Sequence, residues 1–234
     1  MLLRRLRQIR LRDERGLTLA EMVVAMGAGG VVLMGTTVMV LGTMHATTKV
    51  DKRVEATQNS RIVLTKLIDE LNSSCVMPKM APVQQQSTST VLRFVHGSGS
   101  AVTPTPTLSV VRLQGTTLMQ EDFALREGVA PNWVFEEAKP VAVTQLMTGV
   151  TQISATNPPF RYYPYSTTTG ATSETALSTP LSIASAQTVI QVGVALRVAP
   201  SGSSDETVPA HIEDSASLRL TAASYQAVPS LPCQ

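Results

Sequence analysis

One carboxylate near the N-terminus stands out as a residue able to do chemistry, because apolar residues surround it. Glu21 is the only charged residue among the 28 positions from Leu17 to Met44. A carboxylate in the hydrocarbon core of a bilayer costs about 3 kcal/mol unless it has a partner, so such residues are usually functional. Gly16 and a basic leader precede the segment. The arrangement indicates a membrane-inserted precursor that is cut and then assembled, rather than an enzyme.

The charge of the chain changes sign at this junction. Residues 1–16 hold six arginines against Asp13 and Glu14, a formal charge of +4. Since the whole chain is +2, the remaining residues sum to −2. Basic residues before an apolar segment favour a cytoplasmic leader, so everything after Met44 is predicted to be exported. The acidic remainder offers no basic face for nucleic acid.

The apolar segment is long enough to span a membrane. A helix over 17–44 would be about 42 Å long, against about 30 Å of hydrocarbon. A secretory signal that is removed whole has an apolar core of only about 7 to 15 residues. An uncleaved signal anchor would also contain such a segment, and so would a buried helix of a soluble domain, although the latter leaves the charge asymmetry unexplained. The residues alone do not decide between these interpretations.

The junction carries a family resemblance. From Arg15 the sequence Arg-Gly-Leu-Thr-Leu-Ala-Glu-Met-Val-Val-Ala-Met resembles the N-terminus of type IV prepilins and type II secretion pseudopilins. Their pattern is glycine, Phe or a similar apolar residue, Thr, Leu, any residue, Glu and an apolar helix, so Leu17 replaces the commoner Phe. The resemblance implies that a prepilin peptidase in the cytoplasmic membrane cuts after Gly16 and methylates Leu17. It also implies that Glu21 is the family's glutamate.

The chemistry of the cut agrees with a role for Glu21 in assembly. Cleavage after Gly16 leaves an amine on Leu17, with an ordinary pKa near 8. Glu21 would lie one helical turn further along, where its carboxylate can pair with the N-terminal amine of a neighbouring subunit in a low-dielectric core. The alternative is that Glu21 of an isolated anchor reaches the membrane interface.

A helical period continues beyond the apolar segment. Steps of four and three residues connect a predicted face, made of Val50, Val54, Thr57, Arg61, Leu64, Ile68, Leu71 and Cys75. Thr57 and Arg61 dilute this face, so we expect it to pack on a sheet only in its second half. Pro78 ends the pattern. One helix over about 17–74 is predicted, with two helices and a bend near 47–48 as the alternative.

The remainder of the chain has the composition of a β-rich domain. Short β-branched and aromatic runs alternate with Ser, Thr, Pro and Gly loops. The predicted strands are Val91–Val95, Leu108–Leu113, Thr117–Asp122, Trp133–Glu136, Val141–Leu146, Val150–Ser154, Phe160–Tyr163, Val189–Val198 and Ser217–Ala222. Residues 167–179 and 199–209 are predicted to be loops.

Together these elements predict an α+β, pilin-like fold, in which a long N-terminal helix with a transmembrane first half packs on a C-terminal antiparallel sheet. The expected divisions are a cytoplasmic leader at 1–16, an assembly helix at 17–44, its amphipathic continuation at 45–77, and an exported β-rich domain at 78–234. The expected location is the cytoplasmic membrane as a single-pass protein, and then a pilus, a pseudopilus or the cell surface.

Weaker similarities favour a minor subunit. The stretches Leu64–Asn72, Gly149–Ile153, Phe160–Tyr163 and Val189–Arg197 are similar to minor pilins and minor pseudopilins such as the type II secretion J component. Removing 16 residues from 234 leaves 218, which is large for a major pilin. The resemblance implies other pilin or pseudopilin subunits as partners.

The chain has two cysteines, Cys75 and Cys233. In an exported domain they can form a disulfide that fixes the C-terminus to the helix end, and two free thiols are the alternative. Many type IV pilins similarly bind a C-terminal cysteine back to the domain.

The remaining reactive side chains do not form an enzyme's constellation. Gly97-Ser98-Gly99 lacks the Gly-x-Ser-x-Gly frame, and the adjacent His96 is expected at a strand end. An acidic group is expected in a solvated loop rather than on Ca²⁺; it consists of Asp205, Glu206, Glu213 and Asp214. No cofactor or metal is expected. The rival function is an uncleaved anchored envelope protein whose exported domain binds a ligand or wall polymer.

Overall fold

A long helix is the first element of the computed structural model, which describes residues 18–75, 81–99, 104–128, 132–166, 168–200 and 209–218. The helix α1 runs from Leu19 to Asn72. It passes through residues 47–48 as one helix, which confirms the single-helix prediction. The chain divides into two compact units, Met1–Lys49 and Val50–Gln234.

In the first unit the helix is apolar and unburied. All residues from 18 to 49 are exposed, including large apolar side chains such as Val31, Leu33 and Met39, each about two-thirds exposed or more. The helix is long and apolar enough to cross a membrane by length and composition. It is therefore compatible with a single-pass membrane anchor.

In the second unit one side of α1 enters a core. Its buried residues are Ser60, Leu64, Leu67 and Leu71, spaced by four, three and four as one helical face requires. The packing begins only at Ser60, which confirms the expectation for the second half. The face differs slightly from the predicted one, because Ser60 and Leu67 are buried where Arg61 and Ile68 were expected, and Ile68 is only partly buried.

Among the described residues, ten strands and one short helix follow α1. Their bounds are β1 Val91–Gly99, β2 Pro104–Gln114, β3 Thr117–Glu127, β4 Val134–Phe135, β5 Ala142–Thr148, β6 Val150–Thr151, β7 Phe160–Ser166, β8 Ala171–Thr172, α2 Ile183–Ala186, β9 Val189–Val198 and β10 Ala210–Ser217. One sheet has the order β1-β2-β3, with β4 and β5 both paired to β3; the other has the order β10-β9-β7-β8, with β6 paired to β9. All pairings are antiparallel. The α+β class, a long apolar N-terminal helix packed on antiparallel sheets, is confirmed.

The last predicted strand was wrong in position. The strand β10 occupies 210–217, and Leu218 follows it outside any strand; the remainder of the predicted 217–222 strand lies outside the described residues. Ala210, Ile212 and Ala216 of β10 are buried, while Glu213 and Asp214 are exposed. A half-buried strand has this pattern, but its acidic pair made the segment look like a loop.

Two apolar clusters hold the β domain together. The larger joins α1 to both sheets and includes Leu71, Phe94, Tyr162 and Val192. The smaller one contains Cys75, Val95, Leu108, Val110 and Phe123, with Trp133 packed against it.

Tyr162 connects the two sheets through its hydroxyl. It lies on β7 and donates to the carbonyls of Thr88 and Val91, at 2.9 and 3.1 Å, where the first sheet begins. Burial raises the pKa of Tyr162, because the phenolate would lose its water. The folded protein therefore holds Tyr162 as the neutral phenol. The contribution of this phenol to the free energy of unfolding is lost as the pH rises above the ordinary pKa of tyrosine.

Replacing Leu71 with alanine should test the attachment of α1 to the sheets. Leu71 is fully buried, so L71A should lower the free energy of unfolding by about 3 kcal/mol through lost burial and a cavity. Urea unfolding of the detergent-solubilised chain, followed by fluorescence of the single tryptophan Trp133, measures this change. The control I62A removes a side chain that is 68% exposed and should change stability by less than about 0.5 kcal/mol. Equal effects of L71A and I62A would contradict the packing.

Candidate functional site

The first turn of α1 fixes the carboxylate of Glu21 in place. The backbone N–H of Thr18 donates to Oε2 of Glu21 at 3.0 Å, and the Thr18 hydroxyl approaches the same oxygen at 3.1 Å. In return the N–H of Glu21 lies 3.3 Å from Oγ1 of Thr18. The carbonyl of Thr18 accepts the first helical bond, from Met22, at 3.1 Å. Thr18 is therefore the N-cap, and Glu21 completes a capping box.

The capping box gives Glu21 a local role. A carboxylate in the first turn also interacts favourably with the positive end of the helix dipole. The spacing Thr-x-x-Glu before an apolar run is the sequence signature of this motif, and it was overlooked in the sequence interpretation. Glu21 is exposed, so its carboxylate remains accessible to a further partner.

The apolar part of α1 has its hydroxyl groups satisfied internally. Thr36 and Thr37 both donate to the carbonyl of Leu33, at 2.9 and 2.8 Å, and Thr43 donates to that of Val40 at 2.8 Å. These bonds remove polar donors from the helix surface. Glu21 is thus the one charged group on the described helix before residue 49.

Several predicted site residues lie outside the described residues. They are Gly16, Leu17, Cys233, Asp205 and Glu206. Cys75 is fully buried, and its N–H donates to the carbonyl of Val95 at 2.9 Å. The disulfide between Cys75 and Cys233 therefore stays a prediction.

A chain of polar side chains crosses the first sheet. Nε2 of His96 lies 2.9 Å from Oγ of Ser109, and that hydroxyl donates to Asp122 at 2.5 Å. The amide of Gln120 donates to Asp122 at 3.1 Å and to Glu70 of α1 at 2.9 Å. His96 lies within β1 and not at its end, so the expectation for His96 was wrong. Spacing along the sequence does not show these contacts, because they join different elements.

The arrangement of His, Ser and Asp is structural rather than nucleophilic. Ser109 lies between the other two side chains and directs its proton to Asp122, whereas a nucleophilic serine gives its proton to histidine. Ser109 is also fully buried, so a substrate has no access to its hydroxyl. These hydrogen-bonded side chains instead satisfy one another's buried polar groups and connect Glu70 of the helix to the sheet.

The acidic residues Glu213 and Asp214 belong to a strand. Arg161 of β7 pairs with Glu213 of β10 across the second sheet. The guanidinium of Arg161 also lies 5.9 Å from the ring centre of Tyr163. The loop expected for this acidic pair was wrong, because an exposed strand face also carries charges.

Comparison with known proteins gives no assignment: no protein-family model matches the chain, and a search of the curated proteins finds no match.

Replacing Thr18 should test the capping box. The variant T18V removes the hydroxyl and keeps the shape, so it should cost about 1 kcal/mol of local stability and speed amide exchange in the first turn about fivefold. The matched control T18S keeps a hydroxyl and should exchange as the parent does. Hydrogen exchange of the detergent-solubilised chain, resolved by mass spectrometry over 19–26, measures the effect. Equal exchange in T18V and T18S would rule out the cap.

Proposed function

We propose that this chain is a structural subunit, of the minor pilin or minor pseudopilin kind, in a type IV pilus or type II secretion-like filament. It enters the cytoplasmic membrane through its apolar segment, is cut after Gly16 by a prepilin peptidase, and is built into the filament through α1. The observation that carries the proposal is the position of Glu21, a lone accessible carboxylate on the first turn of an unburied apolar helix.

The exposed apolar part of α1 requires an apolar environment both before and after assembly. Water solvates a long surface of Val, Leu and Met unfavourably. Lipid can cover it before assembly, and the helices of neighbouring subunits can cover it afterwards. Helices approach most closely where side chains are small. Added Cβ atoms at Gly27, Gly29, Gly30, Gly35 and Gly42 would meet nothing within 4 Å, so these glycines leave room for a neighbouring helix.

Glu21 supplies the selective contact in this scheme. A carboxylate surrounded by apolar helices is unfavourable unless a positive group pairs with it. Cleavage after Gly16 creates such a group, the amine of Leu17, on every mature subunit. The capping box keeps the Glu21 carboxylate at the helix end, where the amine of a neighbouring subunit can reach it. When the helices of neighbouring subunits are in the correct register, both charges are paired. In an incorrect register, Glu21 is left unpaired.

The β domain would face outward from the filament or lie at its tip. Its core is separate from the apolar part of α1, since the buried helix residues begin at Ser60. Assembly through residues 17–44 would therefore leave the domain intact for contacts with other subunits or with cargo.

The capping box also favours the rival function. In an uncleaved anchored envelope protein, Thr18 already satisfies part of the hydrogen-bonding capacity of Glu21, and no neighbouring subunit is needed. The two functions differ in what they require of Glu21. Assembly requires its charge, whereas a cap requires only an acceptor.

Two substitutions at Glu21 separate charge from capping. Glutamine at the third helical position still accepts from the N-cap residue, so E21Q keeps the cap without the charge, while E21A loses both. We expect both variants to be cleaved, and we expect the incorporation of each into filaments to fall at least about tenfold, the equivalent of about 1.4 kcal/mol per subunit contact. Immunoblots of sheared filaments and of membranes measure incorporation and cleavage.

The pattern of results identifies the role of Glu21. Normal incorporation of E21Q together with failure of E21A would assign the residue to capping and contradict the ion pair. Normal incorporation of both variants would remove Glu21 from assembly. The variant T18S serves as the control, since it retains both the cap and the charge and should be incorporated as the parent chain is.

A further inference from the structure

The outer edge of β5 differs from the other sheet edges. The strand β5 pairs with β3 on one side, and no strand among the described residues pairs with its other side. Residues 141–157 contain no charged residue and no proline. Val141 and Val143 are 67% and 56% exposed. An exposed, uncharged edge strand presents unpaired backbone groups to which another strand can bind.

The other long edges are covered or charged. At β1, the carbonyl of Val95 accepts from the N–H of Cys75 at 2.9 Å, and the carbonyl of Arg93 accepts from the N–H of Gln84 at 2.8 Å. The edge strand β10 of the second sheet carries His211, Glu213 and Asp214. Proteins commonly prevent edge pairing by these means. The edge of β5 has neither protection among the described residues.

A groove lies beside the same edge. It has a volume of about 400 Å³ and separates α1 from β5. Ala56, Ser60 and Val63 form its helical wall, and Leu146 and Met147 form its strand wall. None of its lining residues is charged. Every second side chain of a strand points to the same face of a sheet, so a strand added to β5 would direct alternate side chains towards α1 and into the groove.

We propose that β5 and this groove form the docking site for an extended, uncharged segment of a different subunit of the same filament. The segment adds to the five-stranded sheet as a sixth strand. Backbone hydrogen bonds to β5 would supply affinity, and the groove would select apolar side chains at alternate positions. The proposal rests on the proposed function, because it takes its partner from the same assembly.

The geometry favours a different subunit over a second copy of this chain. Pairing of β5 with β10 of a second copy would bring Glu213 and Asp214 to an uncharged edge. Antiparallel pairing of two β5 strands relates the copies by a two-fold axis perpendicular to the sheet, and this axis reverses the direction of the helix packed on it. The N-terminal helices of chains that enter one membrane through the same segment all run in one direction. Antiparallel pairing of two β5 strands is therefore incompatible with such chains.

Site-specific crosslinking in the native host tests the proposal. The full-length chain would carry p-benzoylphenylalanine in place of Val143, and in a matched control in place of Ile183, which is 61% exposed and lies on α2. After irradiation, adducts are identified by mass spectrometry. We expect Val143→p-benzoylphenylalanine to link to an uncharged stretch of another filament subunit, and the Ile183 control to give no such adduct. Adding T144K, a charge of the kind that protects natural edges, should reduce the adduct about tenfold.

Each alternative occupant gives a distinct result that would overturn the proposal. The proposal is overturned by an adduct with a second copy or by an adduct with residues 219–234 of the same chain. It is also overturned by equal adducts at both positions, or by no adduct. Protease resistance of the T144K chain checks that the domain stays folded. Leader removal, scored in the same sample, reports on the proposed function separately. A cleaved chain without the expected adduct refutes strand addition alone, and an uncleaved chain refutes the filament assignment.

Discussion

The structure depends above all on an apolar helix surface that nothing in the chain's own described residues covers. From residue 18 to residue 49 every side chain of α1 is exposed, and the hydroxyls of Thr36, Thr37 and Thr43 bond back to the helix itself. Such a surface is stable only in lipid or against other helices. Glu21 is the one charged residue on this surface before residue 49, and its hydrogen bonds with Thr18 fix the position of its carboxylate.

A different constraint governs the second half of α1. Leu64, Leu67 and Leu71 enter the main core, and Glu70 reaches the polar chain of the first sheet through Gln120. The β domain is thus packed around the second half of α1, which buries one apolar face in the core. In the proposed filament, substitutions at Glu21 would alter assembly, whereas substitutions at residues such as Leu71 would alter the folding of the domain.

Periodicity and composition predicted most of the fold. The helix was recognisable from its helical period, and β9 was predicted with its observed bounds because Val189–Val198 is rich in β-branched residues. The strand β10 was misplaced because its charges suggested a loop. The contact of His96 with Ser109, and the groove beside β5, depend on which strands become neighbours, and spacing along one chain does not contain that information.

The proposed function depends on cleavage after Gly16, which changes the mass and the first residue of the mature protein. We would determine the intact mass and N-terminal sequence of the protein from membranes of its native host. We expect a chain that begins at Leu17 and is heavier by one methyl group, about 14 Da, than the unmodified fragment. A chain that keeps Met1 or Leu2 while the host's prepilin peptidase is active would rule out this processing and favour an uncleaved anchored envelope protein.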